Sequence, residues 1–450
     1  MKIHFIAIGG AAMHNLAIAL KQNGHEVTGS DDQIFEPSKS RLESHGILPN
    51  EFGWYPEKLS EDIDAVILGM HAREDNPELK RAQDLDLLVY SYPAFIYEQS
   101  MKKTRVVIGG SHGKTTITSM ILHVLKTLGE DFDYLVGAQI EGFDTMVRLS
   151  DAPVIILEGD EYLSSPIDRR PKFHLYDPHI ALISGIAWDH VNVFPTFDNY
   201  LKQFEIFVDE MMADGALIFC QADETLDACV QDFGQHLELI PYNTPEYEVE
   251  QGQTKILMNL DKIEVGVFGE HNLQNLIGAK LVCEHLGISE EKFFNAIADF
   301  KGAARRLEEL SRNDSSVVYK DFAHSPSKLM ATTKAVKAQW PDRHLVACME
   351  LHTFSSLTKE FLVEYNGAMD DADTAIVFYK KETIEQKRLE PISEQEVKAA
   401  FQRDDLMVFT NSQELQDHLQ SIEWNGKNLL FMSSGNFGGI DVDDFGPSLI

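Results

Sequence analysis

The sequence predicts an α/β protein of three domains, each built on a mostly parallel sheet. Short β-branched runs alternate with longer helical patterns, as in parallel strands joined by crossover helices. The alternation begins afresh after Lys103 and again near Ala303. A chain of 450 residues, at roughly 150 residues per domain, has room for about three cores. The expected domains are residues 1–102, 103–302 and 303–450.

Ile3–Ile8 reads as a buried strand, followed by Gly9-Gly10 and a helix to about Gln22, which Gly24 stops. Glu26–Gly29 is a second strand ending at Ser30-Asp31, and Ala65–Leu68 a third, giving a Rossmann-like first domain. Ala7-Ile8-Gly9-Gly10-Ala11-Ala12 places alanine at the first glycine of GxGxxG. Asp31 follows at close to the spacing, about 20 residues, of an acid that holds a ribose. For this domain a nicotinamide cofactor and another pyrophosphate, such as that of a UDP-sugar, both stay open.

The second beginning carries the strongest motif. A strand, Thr104–Ile108, runs into Gly109-Gly110-Ser111-His112-Gly113-Lys114-Thr115-Thr116, and a helix follows from about Thr115 to Leu128. Glycines let backbone N–H groups turn inward around phosphate oxygens, and the helix N-terminus adds partial positive charge. Lys114 would reach the β- and γ-phosphates and the Thr115 hydroxyl would ligate Mg²⁺. Ile108 stands where GxxxxGK[ST] wants glycine, so the loop fits the shorter GxxGK[ST] form. A central P-loop ATPase domain with a parallel sheet is expected.

Two further strands, Val154–Leu157 and Ile180–Ile186, end in polar groups. The first runs into Glu158-Gly159-Asp160-Glu161, hard oxygen ligands that suit Mg²⁺ at the end of a parallel strand. The second leads to Trp188-Asp189-His190, where a histidine can bind metal, act as base or cap the turn. Beyond them lie His271-Asn272 with Asn275, then Arg305-Arg306, then Asp321-Phe322-Ala323-His324. An asparagine amide can read both edges of adenine, and an arginine can stabilise a transferring phosphoryl group. Taken singly each is a weak signal, since an asparagine near a helix start is usually a cap and an arginine pair is usually a solvated or ion-paired surface. The third domain is expected to be Rossmann-like, with strands at Val317–Tyr319, Leu345–Cys348, Ala375–Tyr379, Met407–Thr410 and Leu429–Met432.

Composition narrows the class. The balance of 72 acidic against 39 basic residues, −33 formally, argues against a nucleic-acid binder and against a surface for anionic lipid. Four scattered cysteines, Cys220, Cys229, Cys283 and Cys348, form no CxxC pair and suit a reducing compartment. No run of about 18 apolar residues suggests membrane insertion, and the N-terminus lacks a signal peptide's apolar stretch. The expected location is the cytoplasm.

In this order the motifs resemble those of the Mur ligase family, ATP-dependent amide-forming enzymes of peptidoglycan synthesis. Gly110–Thr115 is similar to the family's phosphate loop, Glu158–Glu161 to its magnesium-binding stretch and Asp189-His190 to its Asp-His motif. His271, Asn272 and Asn275 look like its adenine-reading segment; Arg306 and Asp321 fall in stretches like its third-domain nucleotide contacts. Gly9, Gly10, Ala11 and Met13, with Ser30 and Asp31, resemble the UDP-binding segment of the branch that uses UDP-N-acetylmuramate. The resemblance implies that ATP phosphorylates a carboxylate and that an amine attacks the acyl phosphate. Lys114, Glu158 and His190 would be catalytic, and Thr115, Glu158 and His190 would hold Mg²⁺.

Asp168–Tyr176 and Met432–Ile440 resemble the recycling members, whose amine substrate is the peptide L-alanyl-γ-D-glutamyl-meso-diaminopimelate. Free L-alanine is the alternative. A nicotinamide oxidoreductase and a non-catalytic nucleotide-binding regulator are the readings from other classes. Three departures stand out: Gly185 where the family often has asparagine, Phe204 near the position of a carbamylated lysine, and Glu350–Ser356 without an expected arginine.

Overall fold

The computed structural model describes residues 1–140, 142–188, 193–258, 261–300, 302 and 306–450. Two compact units emerge: residues 1–243 with 278–293, and residues 244–277 with 294–450.

The first unit carries two sheets. One contains β1 (Lys2–Ile6), β2 (Glu26–Ser30), β3 (Ala65–Leu68) and β4 (Val89–Ser91), all parallel, in the order β2-β1-β3-β4. The helix Ala11–Gln22 follows β1, and Gly24, with φ 82°, lies just past its end. The second sheet contains β5 (Thr104–Gly109), β6 (Asp133–Leu135), β7 (Val147–Arg148), β8 (Val154–Glu158), β9 (Ile180–Ile183), β10 (Ala216–Cys220) and β11 (Glu238–Tyr242). Its order is β11-β10-β9-β5-β8-β6-β7, with only β7 antiparallel. Strand β5 is central, with β8 on one side and β9 on the other. The order therefore reverses there, which opens a crevice at the carboxyl ends of these three strands. The helix Lys114–Leu128 starts at Gly113 and stops at Gly129, both in the left-handed region at φ 80° and 74°.

Residues Ala65–Leu68, Ile155–Leu157 and Ile180–Ile183 are buried throughout. That follows from parallel sheets covered on both faces, and it explains why these strands read as unbroken apolar runs. Strand β9 stops at Ile183, three residues short of the Ile186 expected from hydrophobicity. From Ser184 onward the chain serves other partners: the Ser184 hydroxyl donates to the His112 carbonyl, and the Ile186 N–H donates to Asp223 at 2.7 Å.

The second unit holds an antiparallel sheet of β12 (Tyr247–Glu250), β13 (Gln253–Met258) and β14 (Asp261–Val265), which sequence patterning did not foresee. Gln251 and Gly252 join its first hairpin with φ 52° and 77°, the paired positive values of a type I′ turn. Its second sheet contains β15 (Glu308–Arg312), β16 (Val317–Asp321), β17 (His344–Glu350), β18 (Thr374–Phe378), β19 (Met407–Phe409) and β20 (Lys427–Met432), in the order β15-β16-β20-β17-β18-β19. The five foreseen strands are parallel, and the unforeseen β15 is antiparallel. Alternate residues supply two cores: Tyr319, Ala347, Val377 and Leu430 face one, and Val318, Val346, Ile376 and Leu429 the other. All four cysteines are buried free thiols, and no described helix is long and apolar enough to cross a membrane.

Candidate active site

The crevice of the seven-stranded sheet gathers three of the sequence signals on adjacent strands. The loop 110–113 follows β5, Glu158 ends β8, and Ser184–Trp188 follows β9. Ile108 and Glu158 are register partners, so the acid arrives beside the loop. Gly110, at φ 115°, must be glycine, because a Cβ there would collide with the Ser184 hydroxyl and lie 2.8 Å from the Ser184 nitrogen. The His112 ring bonds the Ser111 carbonyl at 2.7 Å, and Thr116 is buried in the first turn of the helix.

Thr115 Oγ1 donates to Glu158 Oε1 at 2.8 Å, and the Gly137 N–H donates to Glu158 Oε2 at 2.8 Å. Gly137 was missed in the sequence. A Cβ on it would stand 2.9 Å from Glu158 Oε1, so a side chain would push the acid away. Burial raises the Glu158 carboxyl above its ordinary range, against the lowering pull of the Gly137 N–H and Lys114. Lys114 Nζ donates to Glu161 at 2.7 and 2.9 Å and to the Gly110 carbonyl at 2.6 Å. Burial pulls the Lys114 ammonium down, but Glu161, Asp160 and Glu158 together outweigh it and hold its pKa up. Lys172 meets Asp160 at 2.6 Å. Burial works against the Asp160 charge, and Lys172 and Lys114 overcome it, leaving that carboxyl below its ordinary value.

Three carboxylates, Glu158, Asp160 and Glu161, thus face two ammonium groups, Lys114 and Lys172. A polyphosphate entering this crevice would need more positive charge. Among the described residues no three His, Cys, Asp or Glu side chains converge as a metal cage. Mg²⁺ does not need one: it keeps waters and takes one or two protein oxygens together with substrate phosphates. The adjacent oxygens of Thr115 and Glu158 fit that requirement. Asp189, His190 and Arg305 lie outside the described residues.

The first domain's candidates also meet at strand ends. Ile6 and Ser30 are register partners, and the Gly9 N–H donates to Asp31 Oδ2 at 2.7 Å. Gly10 caps the helix that Ala11 begins; Ala11 is exposed and Met13 buried. Ser30 Oγ accepts from Lys58 at 3.2 Å. Burial raises the Asp31 carboxyl, opposed by the Gly9 N–H. Ala7 takes φ 67°, the left-handed conformation a glycine would favour there.

In the second unit, Asn272 donates to the Phe268 carbonyl at 3.1 Å and Asn275 to Asn272 Oδ1 at 3.5 Å. His271 sits in the first turn of the helix Glu270–His285, where burial lowers its pKa against Asp321 and Glu270. The Arg306 guanidinium lies 4.7 Å from the centre of the Phe322 ring. The Asp321 carboxylate is engaged locally, accepting from Leu307 N at 2.5 Å and Ala323 N at 2.7 Å. Beside it the carboxyl ends of β16 and β20 border a cavity of about 400 Å³, lined by Lys320, Ser433, Gly435, Asn436, Phe437 and Ile440. Glu350, buried at the end of β17, accepts from the Ser433 hydroxyl and from Phe437 N at 2.8 Å, and so shapes that loop.

Comparison with known proteins fits this arrangement. Residues 2–103 match the Mur ligase family, catalytic domain, and residues 108–283 match the Mur ligase middle domain. The chain belongs to the Mur ligase family. It is an ATP-dependent, amide-bond-forming ligase with the family's three-domain α/β fold. It is 28% identical over 454 residues to the UDP-N-acetylmuramate–L-alanyl-γ-D-glutamyl-meso-2,6-diaminoheptandioate ligase of Haemophilus influenzae, covering 97% of each chain. It is equally 28% identical, over 391 residues, to the UDP-N-acetylmuramate–L-alanine ligase of Desulforamulus reducens, covering 84% of this chain and 82% of that one. Among solved structures, the UDP-N-acetylmuramate–alanine ligase MurC of Thermotoga maritima superposes with a TM-score of 0.71 at 20% identity, over 98% of this chain and 97% of that one.

Proposed function

We propose that this Mur ligase joins the carboxylate of UDP-N-acetylmuramate to the amino group of L-alanyl-γ-D-glutamyl-meso-diaminopimelate, as in peptidoglycan recycling. The cavity beside Ser433–Ile440 carries the choice of amine substrate. Its volume of about 400 Å³ falls within the range of about 300–1,000 Å³ that encloses drug-sized ligands, more room than one alanine needs. The loop that lines it is the Met432–Ile440 stretch whose sequence resembles the recycling members.

A carboxylate is a poor acyl donor because its leaving group is too basic; phosphorylation by ATP replaces that group with phosphate. In this reading the loop amides of 110–113 and Lys114 hold the β- and γ-phosphates. Thr115 and Glu158 hold Mg²⁺, which when bound supplies the positive charge that the three-acid crevice lacks; His190 is assigned to the same metal chemistry. The chain contributes alignment and charge neutralisation. Gly9, Gly10, Ala11, Met13, Ser30 and Asp31 are assigned to the UDP-sugar, and His271, Asn272, Asn275, Arg306 and Asp321 to nucleotide contacts within their own unit.

Phosphate release with UDP-N-acetylmuramate and MgATP, compared between the tripeptide and free L-alanine, tests the reading. A kcat/KM for the tripeptide at least about tenfold higher, some 1.4 kcal/mol of transition-state preference, is expected. Preference for free L-alanine, the substrate named for equally similar relatives, overturns it.

A further inference from the structure

The helix Phe197–Asp209, noted above only for Phe204, carries none of the candidate site residues, yet one of its residues reaches the phosphate loop. Tyr200 is fully buried, its ring 5.5 Å from that of Phe194 and 5.3 Å from that of Phe204. Its hydroxyl lies 2.9 Å from Glu161 Oε1 and 2.8 Å from Ser111 Oγ. An ionised carboxylate only accepts, so Tyr200 donates to Glu161, and Ser111 must then donate to Tyr200. Ser111 Oγ in turn accepts the Ala187 N–H at 2.8 Å. The donors therefore run in one direction from the segment after β9, through Ser111 and Tyr200, to Glu161. At that carboxylate they meet the two hydrogen bonds of Lys114. Glu161 has no exposed surface, and Lys114 donates to both of its oxygens, so whatever fixes the carboxylate fixes the lysine.

Resting on the assignment of Lys114 to the phosphates, we propose that Tyr200 is a positioning residue for ATP chemistry. It holds Glu161, and through it the Lys114 ammonium, in register with the Ser111 apex of the loop. The hydroxyl touches neither substrate nor metal in this scheme. It also ties the lysine to the segment leading from β9, so that loop apex, lysine and Ala187 share one hydrogen-bonded joint.

Tyr200→Phe keeps the ring packed between Phe194 and Phe204 and removes only the joint. The expected result is a folded enzyme whose thermal midpoint falls by only a few degrees, as for one buried hydrogen bond lost, with an unchanged KM for UDP-N-acetylmuramate and a kcat lower by about tenfold, the scale of one hydrogen bond to a charged group. In a Glu161→Ala background, which leaves no side-chain acceptor for either Tyr200 or Lys114, the same substitution should have no further effect. A Tyr200→Phe enzyme with wild-type kcat, or a loss that persists in full beside Glu161→Ala, overturns the proposal. Lys114→Ala measured in parallel separates the two levels. If it retains turnover, the loop assignment itself fails. If it is inactive while Tyr200→Phe is normal, only the role of Tyr200 fails.

Discussion

Replacing Lys114 by alanine removes the lysine assigned above to the phosphates and also breaks a buried ion pair. Its Nζ makes three contacts of 2.6–2.9 Å, two of them to Glu161, which has no exposed surface. Breaking such a pair from one side costs about 3–5 kcal/mol, mostly because the remaining charge stays buried without its partner. At about 2–4 °C per kcal/mol for a unit of this size, the unfolding midpoint of the first unit should fall by roughly 6–20 °C. Glu161→Gln made in the same chain removes the stranded charge, and the amide can still accept from Tyr200. The double variant should therefore regain most of the lost stability and none of the activity. Differential scanning calorimetry gives the first quantity and phosphate release the second. A Lys114→Ala protein as stable as wild type, or a double variant no more stable than the single, refutes the argument that a buried Glu161 needs this lysine. Restored turnover in the double variant refutes the assignment of Lys114 to ATP.

Other perturbations read different parts of the site. Omitting Mg²⁺ should weaken ATP binding by at least about tenfold in calorimetric titration, since three acids against two lysines repel the phosphates. In the proposed assignment Mg²⁺ binds the ionised Glu158, whose carboxyl burial holds above its ordinary value, so Mg²⁺ affinity should begin to fall at a higher pH than for an ordinary glutamate, and Glu158→Gln should remove that dependence. His14 is held neutral by burial, its ring bonded to the Gly10 carbonyl at 2.9 Å and to Asn15 at 3.1 Å. Its folded pKa lies below 6.5, so its contribution to stability is present above pH 6.5 and lost as pH falls through the folded value; His14→Gln should flatten that part of the denaturation profile. Gly110→Ala should abolish ATP binding and lower the unfolding midpoint, because φ 115° and the crowding by Ser184 both exclude a Cβ.

Much of this was legible from the chain alone. Buried parallel strands write themselves as apolar runs, so Thr104–Ile108, Val154–Leu157 and Ala65–Leu68 fell within a residue of their observed limits. The hairpin at Gln251-Gly252 was missed, although its turn pair and the alternation Tyr247, Val249, Thr254, Ile256 were a usable signal. Glu161 was visible in the acidic stretch Glu158–Glu161, but nothing in the sequence marked it as the partner of Lys114. Tyr200 had no signal, because a tyrosine in an amphipathic helix among Phe194 and Phe204 reads as core.

The sequence by itself determined what depends on neighbours along the chain: the glycine loop, the helix behind it, the acids that end β8 and the motif order whose resemblance to the Mur ligases implies ATP-dependent ligation. Tertiary structure decided what depends on strand order and burial. Only the order β9-β5-β8 brings Glu158, Gly137 and Ser184 to one loop. Only the buried state of Glu161 turns Lys114 into half of an ion pair and Tyr200 into its support. At Ala7 the residue type argued against a left-handed turn, yet its N–H and that of Ile8 bond the Ser30 carbonyl at 2.9 and 3.2 Å. Closing those bonds outweighs the cost, about 1–2 kcal/mol, of a left-handed alanine. A local pattern records preference, while the fold sums preference with contacts made by residues far away in the chain.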